Sequence, residues 1–589
     1  MNNKKYIYGM MAAATLLAAS CSDFDDYNKA YTEASVGSQR TLWENIKENK
    51  DLSQFAELVV KAGFANNLNS SRSYTVWAPL NDSFDYSKYL SMDSAALRKT
   101  FVENHIANFN HAMTGETVDK RVHTLNNKSY QLVSDGDGYL FDGKNMTSGT
   151  GIPSVNGTLH TISGVADFLP NIYESLENYK ETETDSIYSY FMKFKTSVLD
   201  VNNSIEGPIV NGKQTYIDSV MIESNDLFGR YMLDADISNE DSSYTLILPT
   251  NKAYIETYKK IKECYKLPKT IFWKEISSQY NGVAPNDSRY EVETENITAE
   301  QVQDSLSRLL LVTPLTLSNN NTYNLWVTDR EDAWQRDTLR STVGVTMPNG
   351  PEIINDHLVG EPMEMSNGFV RIVDSLAYRP WNIWNPAISV SLHNPRMRPY
   401  VNGTAASVST ITVHPDNIDM DKIGNIFGSN GMQSIYTSYL DFRPGSSGDR
   451  AKPEAYFYLD NIRSTTYNVY VVFVPARYDK TTKNTPEKNY KISLQFCYGN
   501  GQKTVVDPKM TIESTDSNSV QMVKAPKTVT FPYSYAVAKD CYPYVKLQSE
   551  RSTISQKEWA KYDNHLRIAA IILRPVEYDE YLNSLNSKE

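Results

Sequence analysis

Two tandem α+β domains followed by an all-β antiparallel sandwich or jelly roll is the architecture this sequence predicts, and three observations predict it. A pair of motifs recurs in the same order across the first two thirds of the chain. The final third breaks into short strand-like runs punctuated by Gly, Pro, Asn and Asp. Tyrosine supplies 40 of the 67 aromatic residues (8 Trp + 40 Tyr + 19 Phe), an excess suited to pleated, half-wet surfaces. At 589 residues the chain is long enough for roughly three to five domains, each able to bury its own core without disulfide staples. With 40% hydrophobic residues it is too apolar for a disordered chain. A net charge of −12 leaves no basic footprint for nucleic acid, whose phosphates demand clustered Lys and Arg.

Residues 1–20 read as a secretory signal: Lys4 and Lys5 precede an apolar run from Tyr6 through Leu17, which ends in Ala18, Ala19 and Ser20 before Cys21. Leu17-Ala18-Ala19-Ser20-Cys21 resembles the bacterial lipobox, departing from it at Ala18, where the motif prefers Leu. The resemblance implies that Cys21 takes a diacylglycerol and becomes the mature N-terminus; plain secretion is the alternative. Residues 21–37 form an acidic linker whose Ser22-Asp23-Phe24-Asp25-Asp26 resembles the export signal that sends Bacteroidota lipoproteins to the outer face of the outer membrane. A plain solvated linker would read the same way. Cleavage leaves 589 − 20 = 569 residues and, with two lysines gone, a charge of 56 − 70 = −14. No later apolar run reaches the roughly 18 residues a spanning helix needs. The other cysteines, Cys264, Cys497 and Cys541, show no CxxC and no metal spacing. A Cys497–Cys541 disulfide is open, with buried thiols the plainer reading.

Tyr74-Thr75-Val76-Trp77-Ala78-Pro79-Leu80-Asn81-Asp82-Ser83-Phe84 recurs as Tyr244-Thr245-Leu246-Ile247-Leu248-Pro249-Thr250-Asn251-Lys252-Ala253-Tyr254. Further on, Asn156-Gly157-Thr158-Leu159-His160-Thr161-Ile162 recurs as Asn367-Gly368-Phe369-Val370-Arg371-Ile372-Val373. The motifs lie 156 − 81 = 75 residues apart in the first copy and 367 − 251 = 116 in the second, so about 41 extra residues are expected there, including Trp273 to Arg289. In each copy a β-rich run stops at a Pro, which cannot donate to a ladder, and an Asn caps the following turn. Asp51 and Gln54 form a capping pattern ahead of an amphipathic helix carrying Phe55, Leu58, Val59 and Ala62, with Gly63 as its stop. Leu97, Phe101 and His105 mark another helical face. Thr298 and Gln301 form a capping box before Val302, Leu306, Leu309 and Leu310. Asn156-Gly157 is expected to make a type I′ hairpin.

Tyr74–Phe84, the helix ending in Asn104-His105, and Asn156-Gly157-Thr158-Leu159-His160-Thr161-Ile162-Ser163-Gly164-Val165 are similar to the two conserved boxes and the central His motif of fasciclin (FAS1) domains. The second copy keeps both boxes, lacks the central His and has Arg371 in place of His160, so it resembles a diverged, insertion-bearing FAS1 domain. The resemblance covers roughly residues 38–380, as domains 38–180 and 181–380. It implies a bent β-wedge covered by helices and a role in adhesion or extracellular binding, with no shared active site.

Residues 381–589 are expected to form the sandwich. Its runs are Ala387–Leu392, Val408–Val413, Ala455–Leu459, Tyr467–Val474, Tyr490–Cys497, Thr528–Tyr535 and Leu566–Leu573, with one helical piece at Ser555–Tyr562. Asn402-Gly403, Asn430-Gly431 and Asn500-Gly501 are hairpin signals.

The sequence contains no GxSxG, HExxH or P-loop, and the reading is of a non-enzyme with no catalytic residue, metal or cofactor. His105 and His160 read as core histidines. Asp416, Asp419 and Asp421 after His414 lack EF-hand spacing and read as a solvated loop, and Asp135-Gly136-Asp137-Gly138 reads as a hairpin turn. Trp381 and Trp384 are the weak binding candidates: they could stack on sugar rings or anchor a partner, although a buried seam between domains is the plainer reading. The expected protein is a lipid-anchored outer-membrane lipoprotein facing outward. By analogy it is a binding or scaffolding accessory of a SusC/SusD-type importer that captures a glycan or peptide. An adhesin for host matrix or neighbouring cells is the first alternative, and a glycan hydrolase with an acidic pair in the last domain is the second.

Overall fold

The computed structural model describes residues 39–587 except 112, 114–116, 137, 200, 202–203, 219–220, 275–286, 320–337, 391, 393–399, 403, 411–437, 444–452, 475–487, 501–502, 518–519, 535–542, 551–554 and 556. Cys21, Cys541, the Asp416–Asp421 cluster and the three later Asn-Gly turns therefore fall wholly or partly outside the described residues. The chain divides into two compact units. One runs to Asn178 and adds Asp236–Tyr244 and Pro362–Val370; the other comprises Tyr179–Ala235, Thr245–Glu361 and the chain from Arg371 on.

In the first repeat, Thr41 and Glu44 form a capping box that opens the helix Leu42–Glu48. The next helix, Ser53–Lys61, buries Phe55, Leu58 and Val59. The expected cap at Asp51 and Gln54 does not form, because a 3₁₀ turn at Lys50–Leu52, capped by Asn49, runs directly into this helix. Gln54 instead donates to Asn81 Oδ1 and Asp82 Oδ1, both at 3.0 Å. Gly63 does end the helix: its N–H reaches Val60 O and the N–H of Phe64 reaches Val59 O, each at 3.0 Å, the paired bonds of a Schellman motif. Leu97, Phe101 and His105 are all fully buried. Their face is built from three successive turns: an α-turn Ser94–Leu97, a π-turn Arg98–Val102 and a 3₁₀ turn Glu103–His105.

The strand Tyr74–Pro79 pairs antiparallel with Ile106–Asn108 and parallel with Gly157–Ile162, which in turn pairs antiparallel with Ile152–Ser154. Side chains alternate along it: Val76 and Ala78 face the helices' core, while Trp77 joins a second core with Phe141 and Ile162. That second core is closed by an antiparallel sheet of Asp119–His123, Ser129–Asp135, Gly138–Phe141 and Lys144–Asn145. Asp135 pairs with Gly138, so the Asp-Gly-Asp-Gly run is a hairpin turn.

Asn156-Gly157 is not the expected type I′ turn. Ser154 pairs with Gly157, which leaves Val155 and Asn156 as the connection, and neither has positive φ. Asn156 is buried and acts as a backbone clasp: it accepts from Leu42 N–H at 2.8 Å and donates to the carbonyls of Leu68 at 2.9 Å and Ser70 at 2.7 Å. Gly157 has φ +150, and a Cβ there would lie 1.8 Å from Tyr74 O. The Gly is required by close approach of two backbones.

The second copy repeats this bond for bond. Asn367 accepts from Ile172 N–H at 2.9 Å and donates to Ile237 O at 2.8 Å and Asn239 O at 3.1 Å. A Cβ on Gly368 would lie 1.8 Å from Tyr244 O. The first-box asparagines match as well. Asn81 accepts from Gln54 N–H and donates to Lys50 O, and Asn251 accepts from Ser186 N–H and donates to Thr182 O. The four-stranded sheet orders match, with Thr316–Ser318, Tyr244–Pro249, Gly368–Val373 and Met363–Met365 taking the places of their counterparts. Asn171 and Glu174 supply the equivalent capping box, ahead of residue 181.

The second copy carries two insertions rather than one. From Asn251 to Thr316 is 65 residues against 25 from Asn81 to Ile106, and the excess of 40 holds a hairpin of Thr270–Lys274 with Asp287–Glu291. The other was not anticipated: Gln54 to Asn81 spans 27 residues and Ser186 to Asn251 spans 65, an excess of 38. It holds two ladders, Lys195–Leu199 with Met221–Asn225 and Ile205–Val210 with Lys213–Asp218. Thr298 and Gln301 cap the helix Ala299–Val312 as expected, but its fully buried positions are Ser307, Leu311 and Val312, one step round from the expected Leu306 and Leu310.

In the C-terminal region two antiparallel sheets share one apolar core. The first runs in the order Thr404–Thr410, Ser438–Arg443, Leu566–Pro575, Thr466–Phe473, Gln521–Lys524. The second runs Tyr400–Asn402, Glu454–Tyr458, Tyr544–Ser549, Lys491–Gly499, Thr504–Val506. Val469, Val471 and Ile571 from the first meet Phe457, Leu494, Phe496 and Val545 from the second. The helical piece expected at Ser555–Tyr562 is a 3₁₀ turn at Trp559–Lys561, and a helix not foreseen, Val576–Asn586, closes the chain.

Candidate functional site

Pro380 opens a short helix, Pro380–Ile383, where its missing N–H is harmless, and this turn splits the two tryptophans. Trp384 is 2% exposed, its ring set edge-on to Tyr378 at 6.5 Å and its carbonyl accepting from Arg463 Nε at 3.3 Å. Trp381 is half-buried. Its indole lies parallel to Tyr578 at 4.8 Å and also meets Tyr581 at 4.8 Å, while the Arg379 guanidinium sits 4.8 Å from the Tyr581 ring. Asn385 donates to Glu577 at 2.8 Å. The C-terminal helix thus supplies the rings against which Trp381 rests.

Beneath this patch Asp579 is enclosed by Arg574, Lys524, Asn468 and Tyr470. Burial, then the hydrogen bond to Asp579, pushes the Tyr470 hydroxyl up to about 12. The patch offers flat rings and a guanidinium, groups that hold a ligand by stacking and hydrogen bonding rather than by proton transfer.

His105 and His160 are fully buried. His105 Nδ1 donates to Phe101 O at 2.7 Å and Nε2 accepts from Ala166 N–H at 2.9 Å, which fixes its tautomer. Burial lowers His105 to about 4, and lowers His111 and His160 as far. His160 pairs in register with Trp77, in a cluster where Trp77 stacks on Phe141 at 4.2 Å. In the second copy Arg371 replaces it, donating to Ile354 O and Asn355 Oδ1 at 3.0 Å each.

Sequence reasoning missed Lys128, whose side chain is 2% exposed. Its ammonium reaches Glu174 and Glu240 at 2.6 Å each and Ser366 at 3.2 Å, with Lys99 on the far side of Glu174 at 2.7 Å. Burial raises Glu174, but Lys128 and Lys99 outweigh it and hold the carboxyl below its ordinary value. One lysine after an Asn-Asn turn gives no sequence signal of burial, because its partners lie 46, 112 and 238 residues away.

Among the described residues no group of three or more His, Cys, Asp or Glu could hold a metal ion, and no helix is long and apolar enough to cross a membrane. Burial, reinforced by Glu577, pushes the Cys264 thiol up to about 12, far from a reactive thiolate. Cys497 is buried.

No curated protein matches the chain. The solved structures it resembles include a FAS1 domain pair from the insect cell adhesion molecule Fasciclin I, at 12% identity over 57% of this chain and 99% of that one, with a TM-score of 0.19. They also include an exo-beta-1,3-galactanase from Phanerochaete chrysosporium with galactose, at 8% identity over 32% of this chain and 28% of that one, with a TM-score of 0.16. Superpositions this loose carry no functional inference. The fasciclin domain family matches residues 50–167, the segment built around the Asn81 and Asn156 clasps, and a fasciclin domain suggests adhesion or binding rather than catalysis. Residues 50–167 are a fasciclin domain.

Proposed function

We propose that the chain is a non-enzymatic binding protein displayed outside the cell: two tandem FAS1-like domains and a C-terminal β-sandwich, tethered to the outer membrane through a lipid on Cys21. The observation that carries the tandem reading is the bond-for-bond repetition of the Asn156 clasp at Asn367. The shared core of the two C-terminal sheets supports the sandwich. In this reading the protein serves a SusC/SusD-type importer, capturing a glycan or peptide, with Trp381, Tyr581 and Arg379 as a contact patch. Purified protein should bind at least one member of a glycan and peptide panel, and Trp381→Ala should weaken that binding about tenfold. No binding to any member would overturn the importer reading. The fasciclin match favours adhesion as the second reading; attachment of matrix-coated beads to cells displaying the protein, with no panel binding, would establish it instead. For the tether, radioactive palmitate should label the natural protein and not Cys21→Ala.

A further inference from the structure

One dipeptide sits in several different settings in this fold. Of the eight Asn-Gly pairs in the chain, four lie wholly among the described residues: 156–157, 211–212, 349–350 and 367–368. In three of these the asparagine is buried and its amide is held. Asn156 and Asn367 are the clasps, and Asn349 donates to Glu352 Oε2 at 2.9 Å and to Ala377 O at 2.8 Å. Asn211 and Gly212 are both exposed, at the tip of the hairpin between Ile205–Val210 and Lys213–Asp218. None of the hydrogen bonds among the described residues holds the Asn211 amide.

An asparagine side chain and the next backbone nitrogen can close a five-membered imide ring. The nitrogen attacks Cγ, its proton passes to solvent base, and the Cγ–Nδ2 bond breaks with Nδ2 leaving as ammonia. Water then opens the imide at Cγ to give aspartate, or at the main-chain carbonyl carbon to give isoaspartate, whose backbone runs through the side chain. A glycine after the asparagine has no Cβ to obstruct the attack. The asparagine must also rotate, which a fixed amide cannot do. Asn156 and Asn367 would each have to abandon three hydrogen bonds, at a cost set by unfolding of the surrounding structure. Asn211 has only a turn to leave, with φ of 53 and 75 across the pair. Among the residues of the insertion Lys195–Asn225 whose side chains are described, none before Asn225 is buried, and a two-stranded ladder without a core beneath it opens readily in water.

We propose that Asn211-Gly212 is a site of spontaneous covalent modification, at which Asn211 becomes aspartate and isoaspartate while the three buried pairs stay intact as long as the fold does. The product carries a new negative charge at the hairpin tip. Its isoaspartate form adds one methylene to the two-residue connection between Val210 and Lys213, which pair across the turn. The hairpin therefore changes with the age of the chain. The inference stands whether or not the protein serves an importer.

Peptide mapping by mass spectrometry tests it on the full chain held folded in mildly alkaline buffer. The peptide carrying residue 211 should gain about 1 Da, as an amide –NH2 is exchanged for –OH, and split into two isomers on reversed-phase separation. It should do so at least about tenfold faster than the peptides carrying Asn156, Asn349 and Asn367. Unfolding in guanidinium chloride should bring the four rates within about threefold of one another, because the fold alone protects the buried three. Gly212→Ala should slow the change at residue 211 at least about tenfold in the unfolded chain, where no turn geometry intervenes. An Asn211 that stays intact in the folded chain while the unfolded chain reacts, a folded chain in which all four sites react alike, or a rate that Gly212→Ala leaves unchanged would each overturn the proposal.

Discussion

The two repeats keep different things. Both retain the asparagine clasps, the glycine that lets two backbones touch, the capping box and the strand order. They differ in what fills the space. The first encloses His105 and the Trp77–His160 pair, while the second has Leu315 and the Ile247–Arg371 pair at those positions and carries both insertions. The difference teaches which positions specify this architecture. A buried amide that satisfies three backbone groups has few substitutes, because losing it strands a donor and two acceptors. A core side chain can be exchanged for another that fills the volume and satisfies its polar atoms.

The sharpest way to break the comparison is at the glycines. Gly157→Ala and Gly368→Ala should each cost more than about 4 kcal/mol, since a methyl 1.8 Å from a carbonyl oxygen forces the two strands apart. Urea denaturation should show equal losses, and a large loss at one site alone would mean the copies are not built alike. Lys128→Met comes next. It leaves Glu240 and Glu174 without their buried counterion and should cost about 3–5 kcal/mol in thermal unfolding. A loss below about 1 kcal/mol would show that the carboxylates reach water instead.

Acid should separate the copies. His105 and His160 titrate near 4 when folded, against 6.5 ordinarily, so the unfolded chain takes up protons first. Their contribution is complete above about pH 6.5 and declines as the pH falls through 4, on the order of 2–3 kcal/mol for each by pH 4. Hydrogen exchange at falling pH should loosen residues 50–167 before the second copy's clasp around Asn367. The reverse order would contradict the burial of these rings.

Much of the architecture was legible in the sequence where the signal is local. Gly63 ended its helix, Thr298 and Gln301 capped theirs, and all seven C-terminal runs contain strand. Asn-Gly was legible as a dipeptide but not as a role. At Asn211-Gly212, with φ of 53 and 75, it makes the expected tight turn, whereas at Asn156-Gly157 the same pair serves a long-range clasp. Only the fold distinguishes a turn that needs positive φ from two backbones in contact. The helix Val576–Asn586 escaped notice because its packing residues, Tyr578 and Tyr581, read equally well as strand. In the candidate site, Trp381 and Trp384 were found by type, and the turn begun by Pro380 decided which one is enclosed.

The parallel ladder of Tyr74–Pro79 on Gly157–Ile162 has a mechanical consequence. Its six rungs join a strand the chain enters at Tyr74 to one it leaves at Ile162, at opposite ends of the ladder. Tension applied to those two ends shears all six rungs together instead of peeling them one at a time. For a domain held by one end and loaded through the other, that geometry resists a pull by sharing it.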